Sequence, residues 1–344
     1  MNLPESATLS QTRQYLKEKL TGIVPDTELA LKADIAYEIN KLKKEKNAVI
    51  LGHNYMEPAL FYSIPDHVGD SLGLARIAAQ THAERIVFCG VRFMAETAKI
   101  LNPERMVLLP AEKAGCSLAA SITAEDVRKL KKQYPGIPVV TYINTYADVK
   151  AETDVCCTSS NASDIVNKLE SDSVICIPDE FLARNIARET GKNVIFPGQK
   201  PAGNDDMIIW DGRCEVHDQF TVEDVRNARK QFPDTVVVAH PECAPEVVAV
   251  ADYSGSTTAM TRYVRESDAR RFLILTECAM GDNIAAENPD KEMLRMCSVR
   301  CPHMNEITLE DTLKSLREDV HQIEVDEDVR LKAKRSLDRM LEMS

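Results

Sequence analysis

Short β-branched runs alternate along the chain with longer stretches in which apolar residues recur every three or four positions. The runs read AVIL at 48–51, RIVF at 85–88 and MVLL at 106–109, then VVTY at 139–142, SVICI at 173–177 and NVIF at 193–196. VVVA at 236–239 and FLILT at 272–276 follow, after which a last strand is hard to discern. Amphipathic stretches such as DSLGLARIAAQ and SDIVNKLE separate them. Unbroken apolar runs alternating with helices predict parallel sheets covered on both faces, which makes this an α/β protein.

The pattern also repeats. Residues 123–135, TAEDVRKLKKQYP, align without gaps to residues 221–233, TVEDVRNARKQFP, with eight of thirteen positions identical. The strands that follow keep this register, so Tyr142 falls on His240 and Asn144 on Glu242. A third helix start, TLEDTLKSLRE, begins at Thr308. Thr-x-Glu-Asp is a helix N-terminus, with the hydroxyl capping free amides and acids near the positive end of the dipole. A cysteine stands seven residues before each threonine: Cys116, Cys214 and Cys301.

Three similar three-layer α/β/α units with pseudo-threefold symmetry are therefore expected. Their bounds are 28–115, 116–213 and 214–300, after an N-terminal extension at 1–27. Residues 301–344 would supply the third cysteine loop and helices that pack back on the first unit, whose opening helix is read at 28–46. Three cysteine loops would then meet near one axis.

The chain has ten cysteines, and the common offset sorts them. Cys89, Cys176 and Cys278 lie in or at the ends of apolar strands and read as packing residues, as do Cys156, Cys157 and Cys243. Cys297 has no place in the repeated set. A net charge of −12 disfavours a nucleic-acid partner. The one dense basic stretch, KLKKEK at 41–46, reads as the solvated end of a helix. No apolar run is long enough for a bilayer, so no membrane partner is expected. The first twenty residues carry early acids and no apolar core, unlike a secretory signal, so a cytoplasmic location is expected.

Three cysteines are an unusual set for structural zinc, which takes four ligands. On a 4Fe-4S cluster they leave one iron without a protein ligand, and such an iron is a Lewis acid able to promote loss of water. Polar groups fall at parallel places around the trio: His53 and Tyr55 in GHNY, Tyr142 and Asn144 in TYIN, His240 and Glu242 in AHPE. Small polar turns follow, with Ser71, then Ser159 and Ser160, then Ser256 and Thr257. Each serine could simply cap a helix, yet hydroxyls and amides at helix starts also bind anions. The residue at the strand end and the one two positions on can point the same way into a cavity, and histidine is the side chain that titrates near neutrality. His67, His82 and His321 lack such a setting. His217 and His303 stand near cysteines and are read as supports for those loops.

Taken in order, GHNYM, VGDSLGLA, FMAETAKILNP, AGCSLA, VVTYINTYADVKAE, TSSNA, CEVH, HPEC, ADYSGSTTAM and CPHMNEITLE resemble the quinolinate synthase family of de novo NAD biosynthesis from about residue 28 to the end. The resemblance implies three α/β/α domains around one 4Fe-4S cluster on Cys116, Cys214 and Cys301. It implies condensation of iminoaspartate with dihydroxyacetone phosphate to quinolinate, with loss of phosphate and two waters. The family's substrate contacts carry over onto His53, Tyr55, Ser71, Tyr142, Asn144, Ser159, His240, Glu242, Ser256 and Thr257. Glu242 and Tyr142 are then the expected acid–base pair, with His240 and His53 positioning substrate or sharing proton transfer. A functional link to L-aspartate oxidase, which supplies iminoaspartate, is implied by the pathway alone. GHNYM and CEVHDQF depart from the family's commoner AHNYQ and CPVHE, as does the loop before Cys214, without removing a ligand. Another cluster-dependent hydro-lyase on a small polycarboxylate and a non-catalytic iron-sulfur sensor are the alternatives.

Overall fold

The computed structural model describes residues 7–200, 205–296 and 298–344, so Cys297 lies outside the described residues. Helices α1 (Leu9–Leu20) and α2 (Asp26–Glu45) lead into β1 (Ala48–His53), α3 (Pro58–Phe61), β2 (His67–Gly69), α4 (Ser71–Gln80), β3 (Arg85–Cys89), α5 (Arg92–Leu101) and β4 (Met106–Leu108). A second set follows: α6 (Ala124–Gln133), β5 (Val139–Tyr142), α7 (Ala147–Lys150), β6 (Val155–Cys157), α8 (Ala162–Lys168), β7 (Val174–Ile177), α9 (Glu180–Thr190), β8 (Asn193–Ile195) and β9 (Asp206–Ile209). The third comprises α10 (Val222–Gln231), β10 (Val236–Ala239), α11 (Pro245–Val250), β11 (Tyr253–Ser254), α12 (Thr257–Glu266), β12 (Arg271–Leu275), α13 (Cys278–Glu287) and β13 (Glu292–Arg295). Helices α14 (Leu309–Glu318) and α15 (Glu327–Met343) end the chain.

The strands form three sheets, ordered β2-β1-β3-β4, β6-β5-β7-β9-β8 and β11-β10-β12-β13. Every pairing between these strands is parallel. The first strand of each set lies inside its sheet, with the second on one side and the third on the other. The connections thus part at its carboxyl end, where sheets of this kind open a ligand crevice. His53, Tyr142 and His240 stand at those three ends.

The repeated helix starts form as their sequences require. Thr123, Thr221 and Thr308 accept from the backbone N–H of Asp126, Asp224 and Asp311 at 3.3, 3.2 and 3.0 Å, caps worth about 1 kcal/mol each. A turn of 3-10 helix precedes each, at Ala119–Ser121, His217–Gln219 and Met304–Glu306. The carbonyls of Cys116, Cys214 and Cys301 accept from the N–H four residues on, at 3.0, 3.0 and 3.1 Å. The cysteine loops are thus built alike.

One apolar core runs through the first two sheets, from Ile50 and Phe88 to Val155 and Cys176, and takes in Leu316 and Leu337 of the C-terminal helices. Helix α14 lies against α2 and β3, while α15 reaches across to α7, β6 and α5. Some elements differ from expectation. The edge strands β2, β6 and β11 are too short to show a period. The strand Asp206–Ile209 is inserted between β7 and β8, so NVIF occupies an edge and leaves Val194 and Phe196 exposed. β13 completes the third sheet with EMLR, whose mixed polarity hid it. KLKKEK is not uniformly solvated: Lys43 is buried and donates to the Ile64 carbonyl and Asp66, at 2.8 and 2.7 Å.

Candidate active site

A narrow cavity of about 60 Å³ opens where the carboxyl ends of the sheets and the cysteine loops come together. Twelve of the thirteen candidate site residues line it: His53, Tyr55, Ser71, Tyr142, Asn144, Ser159, His240, Glu242, Thr257 and the cysteines 116, 214 and 301. Ser256 does not. Of the nine described cysteines, six are buried and Cys116, Cys214 and Cys301 are the three partly exposed ones. The packing role read for the others fits their burial.

The trio is a poor place for free thiolates. Burial pushes the Cys116 thiol up to about 12, with Cys301 and Glu242 adding to the shift. Cys301 is raised to about 11 by burial, and Cys214 well above its ordinary value by burial, Glu242 and Cys116. Sulfurs that raise one another in this way are a donor set suited to a cationic group, which would hold them deprotonated. The donor atoms of Cys214, His217 and Glu242 also lie within 4.8 Å of one another, a set able to ligate a metal ion.

Glu242 is the hub of the polar network. Its Oε2 lies 2.7 Å from His217 Nδ1, and its Oε1 accepts from Asn144 Nδ2 at 3.1 Å. Burial alone would raise its pKa, but His217, His240 and the Tyr142 phenol outweigh it and hold the carboxyl at about 2. Tyr142 and Tyr55 move the other way, well above 10, because burial and the Glu242 charge oppose a phenolate. At neutral pH Glu242 is therefore a carboxylate and Tyr142 a proton-bearing phenol.

His53 and His240 do not titrate near neutrality as expected. Burial lowers His53 to about 4 and His240 to about 3, so both are neutral imidazoles. Their tautomers are fixed in the same way: the N–H of Tyr55 donates to His53 Nδ1 at 3.2 Å, and that of Glu242 to His240 Nδ1 at 3.3 Å. Nε2 then carries the proton in each.

The serines are less parallel than the sequence implied. Ser71 is the first residue of α4, and its counterpart is Thr257, the first residue of α12. Asp70 and Ser256 are the caps, and Ser256 Oγ donates to Asp70 Oδ2 at 3.0 Å, tying the two helix starts together. Ser256 faces an adjoining groove that also includes Ser160 and shares Asp70 and Ser159 with the cavity. Ser159 lies two residues before Asn161, the cap of α8.

His217 is more than a support. It is buried, stacks on His240 with ring centroids 4.8 Å apart, and places Nδ1 3.2 Å from Cys214 Sγ. Its Nε2 meets Thr276 Oγ1 at 2.9 Å, and Thr276 meets the Tyr55 hydroxyl at 2.6 Å. His303 fits the supporting role, with Nε2 3.1 Å from Glu215 beside Cys214. Asp70, Thr158, Phe93 and Met94 also line the wall without having been singled out. The Asp before Ser71 was the one signal available, since Asp at a helix start is a strong cap.

Titratable groups at strand ends, with three partly exposed cysteines around one cavity, define a parallel α/β enzyme acting on a small polar substrate. The family model described as NadA, quinolinate synthetase A protein, matches residues 37–342. The chain belongs to that family. A quinolinate synthase of Sinorhizobium medicae is 47% identical over 342 residues, covering 99% of this chain and 91% of the relative. Quinolinate synthase 2 of Mesorhizobium japonicum is 47% identical, covering 97% of this chain and 99% of the relative. The quinolinate synthase of Xylella fastidiosa is 50% identical over 303 residues, 88% of this chain and 85% of its own.

Proposed function

We propose that this enzyme condenses iminoaspartate with dihydroxyacetone phosphate to give quinolinate, phosphate and two waters, as a step of NAD biosynthesis in the cytoplasm. The atoms balance without an oxidant or a reductant. The observation that carries the reading is the grouping of the three partly exposed cysteines with Glu242, Tyr142 and two neutral histidines in one cavity. Cys116, Cys214 and Cys301 would hold one 4Fe-4S cluster. When bound, that cluster supplies a Lewis-acidic iron with no protein ligand of its own.

The chain's own residues supply the rest. Glu242 accepts protons during enolisation and the Tyr142 phenol returns them as water leaves. The Nε2–H groups of His53 and His240 donate to substrate oxygens, and Tyr55 orients the His53 side of the pocket. Ser71, Ser159, Thr257 and Asn144 bind phosphate and carboxylate oxygens. Three units of similar build, at 28–115, 116–213 and 214–300, would bring these groups together about a pseudo-threefold axis. Iminoaspartate would come from an L-aspartate oxidase.

Anaerobic purification with iron and sulfide analysis, followed by a quinolinate assay from the two substrates, tests the reading. Four irons and four sulfides per chain with quinolinate formed are expected for a 4Fe-4S enzyme. Iron-loaded protein that makes no quinolinate would defeat it. The Cys214, His217 and Glu242 set favours a second reading, a single divalent ion, and the same analysis would then find metal without sulfide.

A further inference from the structure

Lys150, the last residue of α7, is completely buried. Burying an ammonium is costly unless its donors are satisfied and its charge is used. No ion pair involves it among the described residues; its Nζ donates to two backbone carbonyls, those of Ile143 at 2.9 Å and Thr145. Those carbonyls stand on either side of Asn144. The carboxylate of Glu96 is nearby but already engaged, accepting from Arg92 Nε and the Ala147 N–H at 2.8 Å each.

The turn that Lys150 grips is the one that carries the site. Tyr142 bonds to Glu242, and Asn144 Nδ2 donates to it at 3.1 Å. Among the described residues Asn144 Oδ1 is buried without a partner, an arrangement costing roughly 1–3 kcal/mol that persists only where the surrounding backbone is fixed. Two charge-assisted bonds from one ammonium fix it. Thr145 adds a bond from its N–H to the Ile143 carbonyl at 2.8 Å.

Charge is the second consequence. Among the described residues no lysine or arginine lines the cavity, whose wall carries the acids Asp70 and Glu242. Lys150 Nζ lies 5.5 Å from the centre of the Phe93 ring, and Phe93 is part of that wall. Burial lowers the Lys150 pKa against the pull of Cys156, Glu96 and Asp148, and the charge of the protonated amine, weakly screened through apolar material, acts on whatever the cavity holds.

We propose that Lys150 is a positioning residue of this site, which clamps the Tyr142–Asn144 turn against Glu242 and supplies from behind Phe93 the positive charge that an anionic dicarboxylate needs. The kinetic part rests on the reading under Proposed function; the binding part does not. Lys150→Met removes both clamp and charge, and Lys150→Gln keeps a donor without the charge. At wild-type iron content, Lys150→Met is expected to lose roughly tenfold to a hundredfold in kcat. Lys150→Gln should recover part of that loss. Calorimetric binding of phthalate, an aromatic ortho-dicarboxylate, should weaken roughly tenfold in both variants, since neither has the charge.

A purely structural lysine would lower the melting temperature of the variants but leave kcat and phthalate affinity per folded enzyme unchanged, which would overturn the proposal. Failure of both variants to fold would overturn it too, by assigning Lys150 to the scaffold. Identical phthalate isotherms for wild type and Lys150→Met, whether or not binding occurs, would remove the role of the charge. If wild type makes no quinolinate, the functional reading falls while the phthalate titration still decides on Lys150.

Discussion

Protonating His53 should cost the fold several kilocalories, and the cost can be located on the pH axis. The side chain is 4% exposed, and burial lowers its pKa from 6.5 to about 4 against the pull of Asp70 and Glu242. An unfolded histidine titrates near 6.5. Between these values the unfolded chain binds a proton that the folded chain refuses, so stability is complete above pH 6.5 and is lost as pH falls toward 4. The full loss is roughly 3 kcal/mol, of which about 2 kcal/mol is gone by pH 5. His240 loses stability in the same direction, between 6.5 and about 3, and Glu242 begins to do so only below 4.5. Glu277 acts oppositely: burial raises it to about 7, so it contributes stability as pH falls from 7 to 4.5. The wild-type slope therefore mixes signs, and the difference between wild type and His53→Gln isolates the imidazole. Urea unfolding of both reduced, metal-free proteins from about pH 7.5 to about pH 5 should show the stability gap change by about 2 kcal/mol in favour of the variant as pH falls. A gap that stays constant over that range would show that His53 titrates normally when folded, and the neutral Nε2–H donor assigned to it would be lost.

Serine at Cys116, Cys214 or Cys301 should abolish iron binding and activity together, whereas Cys297→Ser should keep its iron; wild-type iron in Cys116→Ser would refute the ligand set. Glu242→Gln should lower kcat by roughly a hundredfold to ten-thousandfold with iron retained, and Tyr142→Phe should lower it less, because another donor can replace a phenol more readily than a lost base. A Glu242→Gln enzyme within tenfold of wild type would end its role as base. Ser256→Ala should cost about 1 kcal/mol in urea unfolding through its lost cap on α12, with kcat kept. A large kcat loss there would mean that the hydroxyl reaches substrate despite facing the adjoining groove.

Much of the site was legible because a repeat leaves a mark that no single motif does. Cys116, Cys214 and Cys301 share their distance to a capping threonine, and the shared distance is the length of one 3-10 turn plus its exit. The long inner strands were legible for a similar reason: a fully buried parallel strand such as β7 is apolar throughout. What escaped was set by tertiary context. Strands of two or three residues at sheet edges have no period to read, and β9 could not be told from a loop without the neighbours it pairs with. The neutrality of His53 and His240 follows from desolvation, which spacing does not encode. The pairing of Ser71 with Thr257 was hidden because Asp70 and Ser256, unlike residues, fill the same capping role.

The three strand ends differ at one position, and the difference builds a single polar network. In each, the residue two positions beyond the strand-end side chain differs: Tyr55, Asn144 and Glu242. The backbone keeps the geometry, since the N–H at that position bonds back to the preceding ring in both histidine copies. Only one of the three side chains is ionised, and the other two connect to it. Asn144 reaches Glu242 directly at 3.1 Å. Tyr55 reaches it through Thr276 at 2.6 Å, then His217 at 2.9 Å, whose other nitrogen lies 2.7 Å from the carboxylate. Three carboxylates meeting in one buried cavity would repel and take up protons, whereas Glu242 alone, beside His217, His240 and the Tyr142 phenol, stays charged at about 2. Divergence at a single position of the repeated sequence thus leaves one ionised group, the base proposed above, with Asn144 and Tyr55 connected to it.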